Sequence, residues 1–120
     1  MILVIDSEEV FGKCVVRALQ KNGFEAKLIS NAIEAMAEIS ETGAPDLVFI
    51  DVLLSGPDGF TFLNEMASYA DTFETPIVIV SERDFSSFDL SDYGVVGILN
   101  KNIMKPEEVI EYAKIGRAHV

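Results

Sequence analysis

The chain has few of the residues that most often mark chemistry or compartment. It carries one cysteine, Cys14, and one histidine, His119. A single cysteine closes no internal disulfide, which agrees with a reducing compartment. Cys14 lies among Val10, Val15 and Leu19 and reads as a small core filler. With no other histidine, hydrolases that pair a nucleophile with imidazole are excluded. Basic residues number 9 against 20 acidic ones, a formal net charge of −11. Broad affinity for nucleic acid or anionic lipid needs a basic face, so neither partner is expected. No apolar run approaches the ~20 residues of a membrane span. The apolar start stops at Asp6, too soon for a signal-peptide core. Internal repeats, low-complexity stretches and linkers are also lacking. What remains is one cytoplasmic domain of 120 residues that meets other proteins or collects cations.

Apolar runs suited to buried strands recur at Ile2–Ile5, Ala26–Ile29, Leu47–Ile50, 77–80 and 95–99. Most are continuous rather than alternating, as when both faces of a parallel sheet are covered. Helical patterns lie between them. Val10, Cys14 and Ala18, with Val15 and Leu19, form one stripe that ends at Asn22-Gly23. Asn31 caps a second helix, with Glu34 as its capping-box partner and Ile33, Met36 and Ile39 as its buried face. Phe60, Phe62, Leu63, Met66 and Ala67 mark a third. Pro106 opens the last, followed by Glu107 and Glu108 where the helix dipole favours negative charge. Over 82–93 the polar residues interrupt Phe85, Phe88 and Leu90, and a brief or irregular fourth helix is expected there, its two phenylalanines as core anchors or, if the helix is short, with one ring exposed as a partner-binding patch. The alternation predicts a doubly wound α/β domain, a five-stranded parallel sheet in the flavodoxin-like order 2-1-3-4-5. The domain is expected over residues 1–114. Residues 115–120 match the conceptual translation of a common sequencing-adapter oligonucleotide and are expected to be an artefact tail, so no chemistry is assigned to His119.

In such a sheet the site lies beyond the carboxyl ends of the strands, where strand order reverses. The first strand ends in Asp6-Ser7-Glu8-Glu9, the third in Asp51, the fourth in Ser81-Glu82 and the fifth in Asn100-Lys101. Asp6 and Asp51 then share one crevice. Carboxylates so placed repel each other unless a cation or proton intervenes, and hard oxygen ligands with room for water suit Mg²⁺. Lys101 adds a positive charge opposite Asp51. An ionised carboxylate nucleophile with positive charge around it is what phosphoryl transfer to aspartate requires. Glu8 and Glu9 read as first-turn acids of the first helix rather than ligands.

The run Pro45-Asp46-Leu47-Val48-Phe49-Ile50-Asp51-Val52-Leu53-Leu54-Ser55-Gly56-Pro57-Asp58-Gly59 resembles the third strand and following loop of response-regulator receiver domains. Thr75-Pro76-Ile77-Val78-Ile79-Val80-Ser81 resembles their fourth strand, and Gly94 to Lys101 keeps their spacing between a turn glycine and the site lysine. The resemblance spans Ile2 to Lys114. It implies that Asp51 accepts a phosphoryl group, that Asp6, Asp51 and the Leu53 backbone carbonyl hold Mg²⁺, and that Ser81 and Lys101 bond the phosphoryl oxygens. It implies that Gly59 lets the loop turn tightly into the third helix. The implied donor is a histidine kinase, a phosphotransfer protein or a small acyl phosphate. The implied output is a changed affinity for a downstream protein on the face of the fourth helix, fifth strand and fifth helix, which also offers a homodimer contact. The chain is not expected to be an enzyme beyond assisting its own phosphorylation and dephosphorylation.

Four positions depart from the family pattern. Ser7 replaces a second acid, so that either Glu8 or Glu9 reaches in to the metal or the metal site is weaker; Glu82 stands where a small residue is usual, Ile98 replaces an aromatic, and Asn102 follows the site lysine in place of proline. Ser7, Glu82 and Ile98 leave open an alternative, a receiver-like interaction module that is never phosphorylated. A flavodoxin-like cofactor binder is disfavoured because Ser7-Glu8-Glu9 would repel phosphate. An aspartyl-nucleophile phosphatase wants an aspartate two residues after the nucleophile, where Leu53 stands.

Overall fold

The structure is a computed structural model that describes residues 1–53, 59–85 and 87–119. The 54–58 part of the motif after Asp51, Ser86 and Val120 lie outside the described residues. Five strands, β1 (Ile2–Ile5), β2 (Ala26–Ile29), β3 (Leu47–Ile50), β4 (Ile77–Ser81) and β5 (Val95–Asn100), form one sheet in the order β2-β1-β3-β4-β5. All pairings are parallel. The helices are α1 (Glu9–Lys21), α2 (Ala32–Thr42), α3 (Gly59–Ser68) and α4 (Pro106–His119). This is the expected doubly wound topology, with β4 and β5 each one residue longer than expected.

The continuous apolar strands are explained by two cores, one on each face of the sheet. Leu3, Ile5, Val48, Ile50, Ile77 and Ile79 join α2 and α3 through Ala35, Ile39, Phe62, Leu63 and Met66. Ile2, Val4, Leu47, Phe49, Val78 and Val80 join α1 and α4 through Val15, Leu19, Val109 and Ala113. Each such aliphatic side chain, fully buried, contributes roughly 1.5–3 kcal/mol. Register then fixes the height of the strand ends. Ile5 pairs with Ile50, so Asp6 and Asp51, the next residues, stand level at the point where the chain winds away from β1 in both directions.

Three expectations about helix faces are corrected. In α1 the buried residues are Gly12, Val15 and Leu19, whereas Val10 and Cys14 are exposed. Gly12 lies so close over Leu28 of β2 that a Cβ would collide with that side chain. This approach sets the rotation of α1, and Cys14 is no core filler. In α2 the Asn31 side chain accepts the Glu34 backbone N–H at 2.9 Å, as the cap predicts. The helix lies on the sheet through Ile39 and through Ala32 and Ala35, whose short side chains allow close approach, and Ile33 is left 66% exposed. In α3 the contacts to the core are Phe62, Leu63 and Met66, with Phe60 exposed.

Over 82–93 the regular structure among the described residues is one 3₁₀ turn, Ser91–Tyr93. Asp89 Oδ1 accepts both the Ser91 N–H at 3.1 Å and its hydroxyl at 2.7 Å. Such local bonding competes with helix formation. Phe85 is buried and Phe88 is 58% exposed, their ring centroids 5.8 Å apart. Only the first phenylalanine is therefore a core anchor. No helix of the described residues is long and apolar enough to cross a membrane.

Candidate functional site

The sheet brings Asp6, Asp51 and Lys101 into contact. Asp6 follows β1 and is held there by its N–H, donated to the Ile29 carbonyl at 3.0 Å. Asp51 follows β3 and donates its N–H to the Ile5 carbonyl at 3.0 Å. Lys101 follows β5 and donates its backbone N–H to the Ser81 carbonyl at 2.9 Å. Its Nζ lies 2.8 Å from Asp6 Oδ2, 3.0 Å from Asp51 Oδ2 and 3.0 Å from Glu8 Oε2. Asp6, Asp51 and the Lys101 side chain are all buried, the last 4% exposed. The ammonium also sits 4.5 Å from the centroid of the Phe11 ring.

Each carboxylate has a second anchor. Asp6 Oδ1 accepts the Glu8 N–H at 2.8 Å, and Asp51 Oδ1 accepts the Leu53 N–H at 2.9 Å. Burial pushes the Asp6 carboxyl above its ordinary value, and the Asp51 charge acts the same way. Its hydrogen bonds to Lys101 and the Glu8 N–H pull it back only in part. Burial likewise opposes the charge on Lys101, yet bonding to Asp6, Glu8 and Asp51 outweighs it and raises the ammonium pKa. The cluster thus carries more negative than positive charge on largely buried side chains, and a further cation there relieves the repulsion.

Ser81, the last residue of β4, is buried, and its Oγ accepts the Arg83 N–H at 3.1 Å. It lines a cavity of about 400 Å³ with Asp51, Leu53, Glu82 and Arg83. Glu82 is at the exposed rim. Gly59 is required by space rather than by its own dihedral freedom, since a Cβ there would overlap the Val52 carbonyl. Val52 adjoins Asp51, so this approach ties the start of α3 to the site.

Glu8 departs from expectation. It stands at the N-cap of α1 without making a side-chain cap bond, and its carboxylate goes to Lys101. Glu9 is the ordinary first-turn acid, paired with Lys13 at 2.7 Å. Phe11 was also missed, because its ring faces Lys101 only once α1 is rotated as Gly12 dictates.

Mg²⁺ asks for one or two carboxylates and keeps several waters. Asp6 and Asp51 meet that need. Among the described residues no group of three or more His, Cys, Asp or Glu is placed to hold a metal. The residues fit an ion held by this pair and largely by water.

Comparison with known proteins gives a consistent result. The chain matches the response regulator receiver domain family over residues 2–114. It is 28% identical over 119 residues to the transcriptional regulatory protein YvrH of Bacillus subtilis, covering 99% of this chain and 48% of that protein. It is 29% identical over 83 residues to the sensory transduction protein RegX3 of Mycolicibacterium smegmatis, covering 69% and 35%. The chain therefore spans about half or less of these relatives' length. Among solved structures, the receiver domain of NtrX from Brucella abortus superposes with a TM-score of 0.82 at 28% identity, over 97% of both chains. A response regulator described as putative, from Chloroflexus aurantiacus, gives 0.84 at 25% identity, over 98% of this chain and 96% of that one. The name of the Bacillus relative does not fit the expectation of no nucleic-acid partner, which rested on this domain's charge alone. From the strand order, the paired carboxylates at the switch point and this match, the chain belongs to the receiver domains of two-component response regulators.

Proposed function

We propose that Asp51 is the phosphoacceptor of this receiver domain. The observation that carries the proposal is the Lys101 ammonium set between Asp6 and Asp51 at 2.8 and 3.0 Å. An Asp51 carboxylate oxygen attacks phosphorus. The P–N bond of a donor phosphohistidine, or the P–O bond of an acyl phosphate, breaks, and the leaving group takes the electron pair. The product is an aspartyl phosphate. Asp6, Asp51 and the Leu53 carbonyl would hold Mg²⁺, which supplies positive charge against the transferring oxygens. The ammonium of Lys101 pairs with one phosphoryl oxygen. The Ser81 hydroxyl, now accepting from Arg83, rotates to donate to another.

Donor and output follow from the same reading. The donor is a histidine kinase, a phosphotransfer protein or a small acyl phosphate. The added charge redistributes the loop after β4, and β5 and α4 with the exposed Phe88 change their affinity for a downstream protein or a second copy. The domain works in the cytoplasm and turns over no separate substrate. As the relatives are longer, the domain's output in a longer protein, including transcription control, belongs to this proposal. Residues 115–120 remain proposed as adapter-derived. An interaction module freed from phosphorylation has no need of a buried lysine between two buried aspartates, since burying such a cluster is costly.

Intact mass spectrometry after incubation with acetyl phosphate and Mg²⁺ tests this. Wild type gains one phosphoryl group and Asp51→Asn gains none. An adduct on both, or on neither, overturns the proposal.

A further inference from the structure

We infer that Glu8 is a positioning residue that restrains Lys101 before phosphorylation and is the partner Lys101 gives up when Asp51 is phosphorylated. The inference rests on the phosphoacceptor reading and adds a brake to it.

A lysine ammonium has three hydrogen-bond donors and no more. All three are taken, by Asp6, Glu8 and Asp51 at 2.8, 3.0 and 3.0 Å. The Phe11 ring closes another side at 4.5 Å. For Lys101 to meet an incoming phosphoryl oxygen while Asp51 is still a carboxylate, one of the three must leave. Asp6 and Asp51 are buried, and each is pinned through its other oxygen by a backbone N–H, from Glu8 and Leu53, so neither carboxylate is free to swing away. Glu8 is 46% exposed, and water replaces the ammonium at little cost. Glu8 is therefore the one that yields.

Placement argues against Glu8 as a metal ligand replacing the acid missing at Ser7. Its N–H is fixed on Asp6 Oδ1 and its carboxylate is held by the Lys101 ammonium. Asp6, Glu8 and Asp51 do not form a group arranged to hold a metal. Its action is on the lysine. Until it leaves, it occupies a donor of the group that must receive the phosphoryl oxygen.

Glu8→Gln keeps the side-chain length and removes the charge. With acetyl phosphate and Mg²⁺, the variant is phosphorylated about two- to fivefold faster than wild type, the range set by a half-exposed ion pair. The Mg²⁺ concentration giving half-maximal rate is unchanged. In ¹⁵N–¹H spectra recorded without donor or metal, the Lys101 ammonium protons exchange faster with water in the variant. An unchanged or slower rate, a raised Mg²⁺ requirement, or identical ammonium exchange overturns the inference. A wild-type chain that takes up no phosphoryl group overturns the phosphoacceptor reading and the brake together. A phosphorylated wild type matched in rate by Glu8→Gln overturns the brake alone.

Discussion

The Lys101 Nζ stands 3.0 Å from Asp51 Oδ2 although the two residues leave strands that are not neighbours, with β4 between them. The side chain spans that gap beside Ser81, and on the far side of Asp51 it meets Asp6 at 2.8 Å. One cation thus ties the ends of three strands.

Removing the cation leaves buried carboxylates facing one another. Lys101→Met is expected to lose about 3 kcal/mol of stability in metal-free buffer, the lower end of the cost of breaking a buried ion pair. Because Mg²⁺ supplies the missing charge, adding it restores part of that loss. Urea unfolding with and without Mg²⁺ measures both. Wild-type stability in the metal-free variant contradicts the charge account.

The raised pKa of Asp6 gives a pH signature. A carboxyl raised above its ordinary 3.8 favours the fold when protonated. That contribution is fully present below 3.8 and is lost as pH rises through the folded value. Asp6→Asn removes the titration while keeping an oxygen for the Glu8 N–H. In metal-free buffer, thermal unfolding therefore shows wild type losing stability relative to Asp6→Asn as pH climbs from below 3.8 towards neutral. A difference that is flat with pH, or of opposite slope, contradicts it.

Gly59 has no room for a methyl group, because a Cβ would overlap the Val52 carbonyl. Gly59→Ala is expected to cost about 1–3 kcal/mol, as overpacking does. It also slows phosphorylation, since Val52 adjoins Asp51. Denaturant midpoints and phosphorylation rates on the same sample check the coupling.

Asn31 contributes stability without touching the site. Losing its 2.9 Å bond to the Glu34 N–H, Asn31→Ala should cost about 1 kcal/mol, as loss of an N-cap typically does. The phosphorylation rate is unchanged. A rate effect here implies that α2 reaches the site by a route the contacts do not show.

Much of this was legible before the structure. Period and run length mark the strands, and the doubly wound rule puts their carboxyl ends at the site, so Asp6, Asp51 and Lys101 could be named from sequence. The rotation of α1 could not. A stripe of apolar residues gives a helix but leaves its angle free by one residue, and the close approach of Gly12 to Leu28 decides it. Cys14 and Val10 were misplaced for that reason, and Phe11 was missed. Ile33 was misplaced because α2 prefers the closer packing of Ala32 and Ala35. Glu8 was hidden differently. An acid at a helix start satisfies the dipole wherever its side chain points, and only the tertiary position of Lys101 turns it inward.

The most direct test identifies the phosphorylated atom's residue. An acyl phosphate on aspartate is reduced by borohydride to homoserine, which tandem mass spectrometry locates. After treatment with acetyl phosphate and Mg²⁺, the account predicts homoserine at position 51 and at no other position. Homoserine elsewhere, or phosphate retained on Ser81, would contradict it.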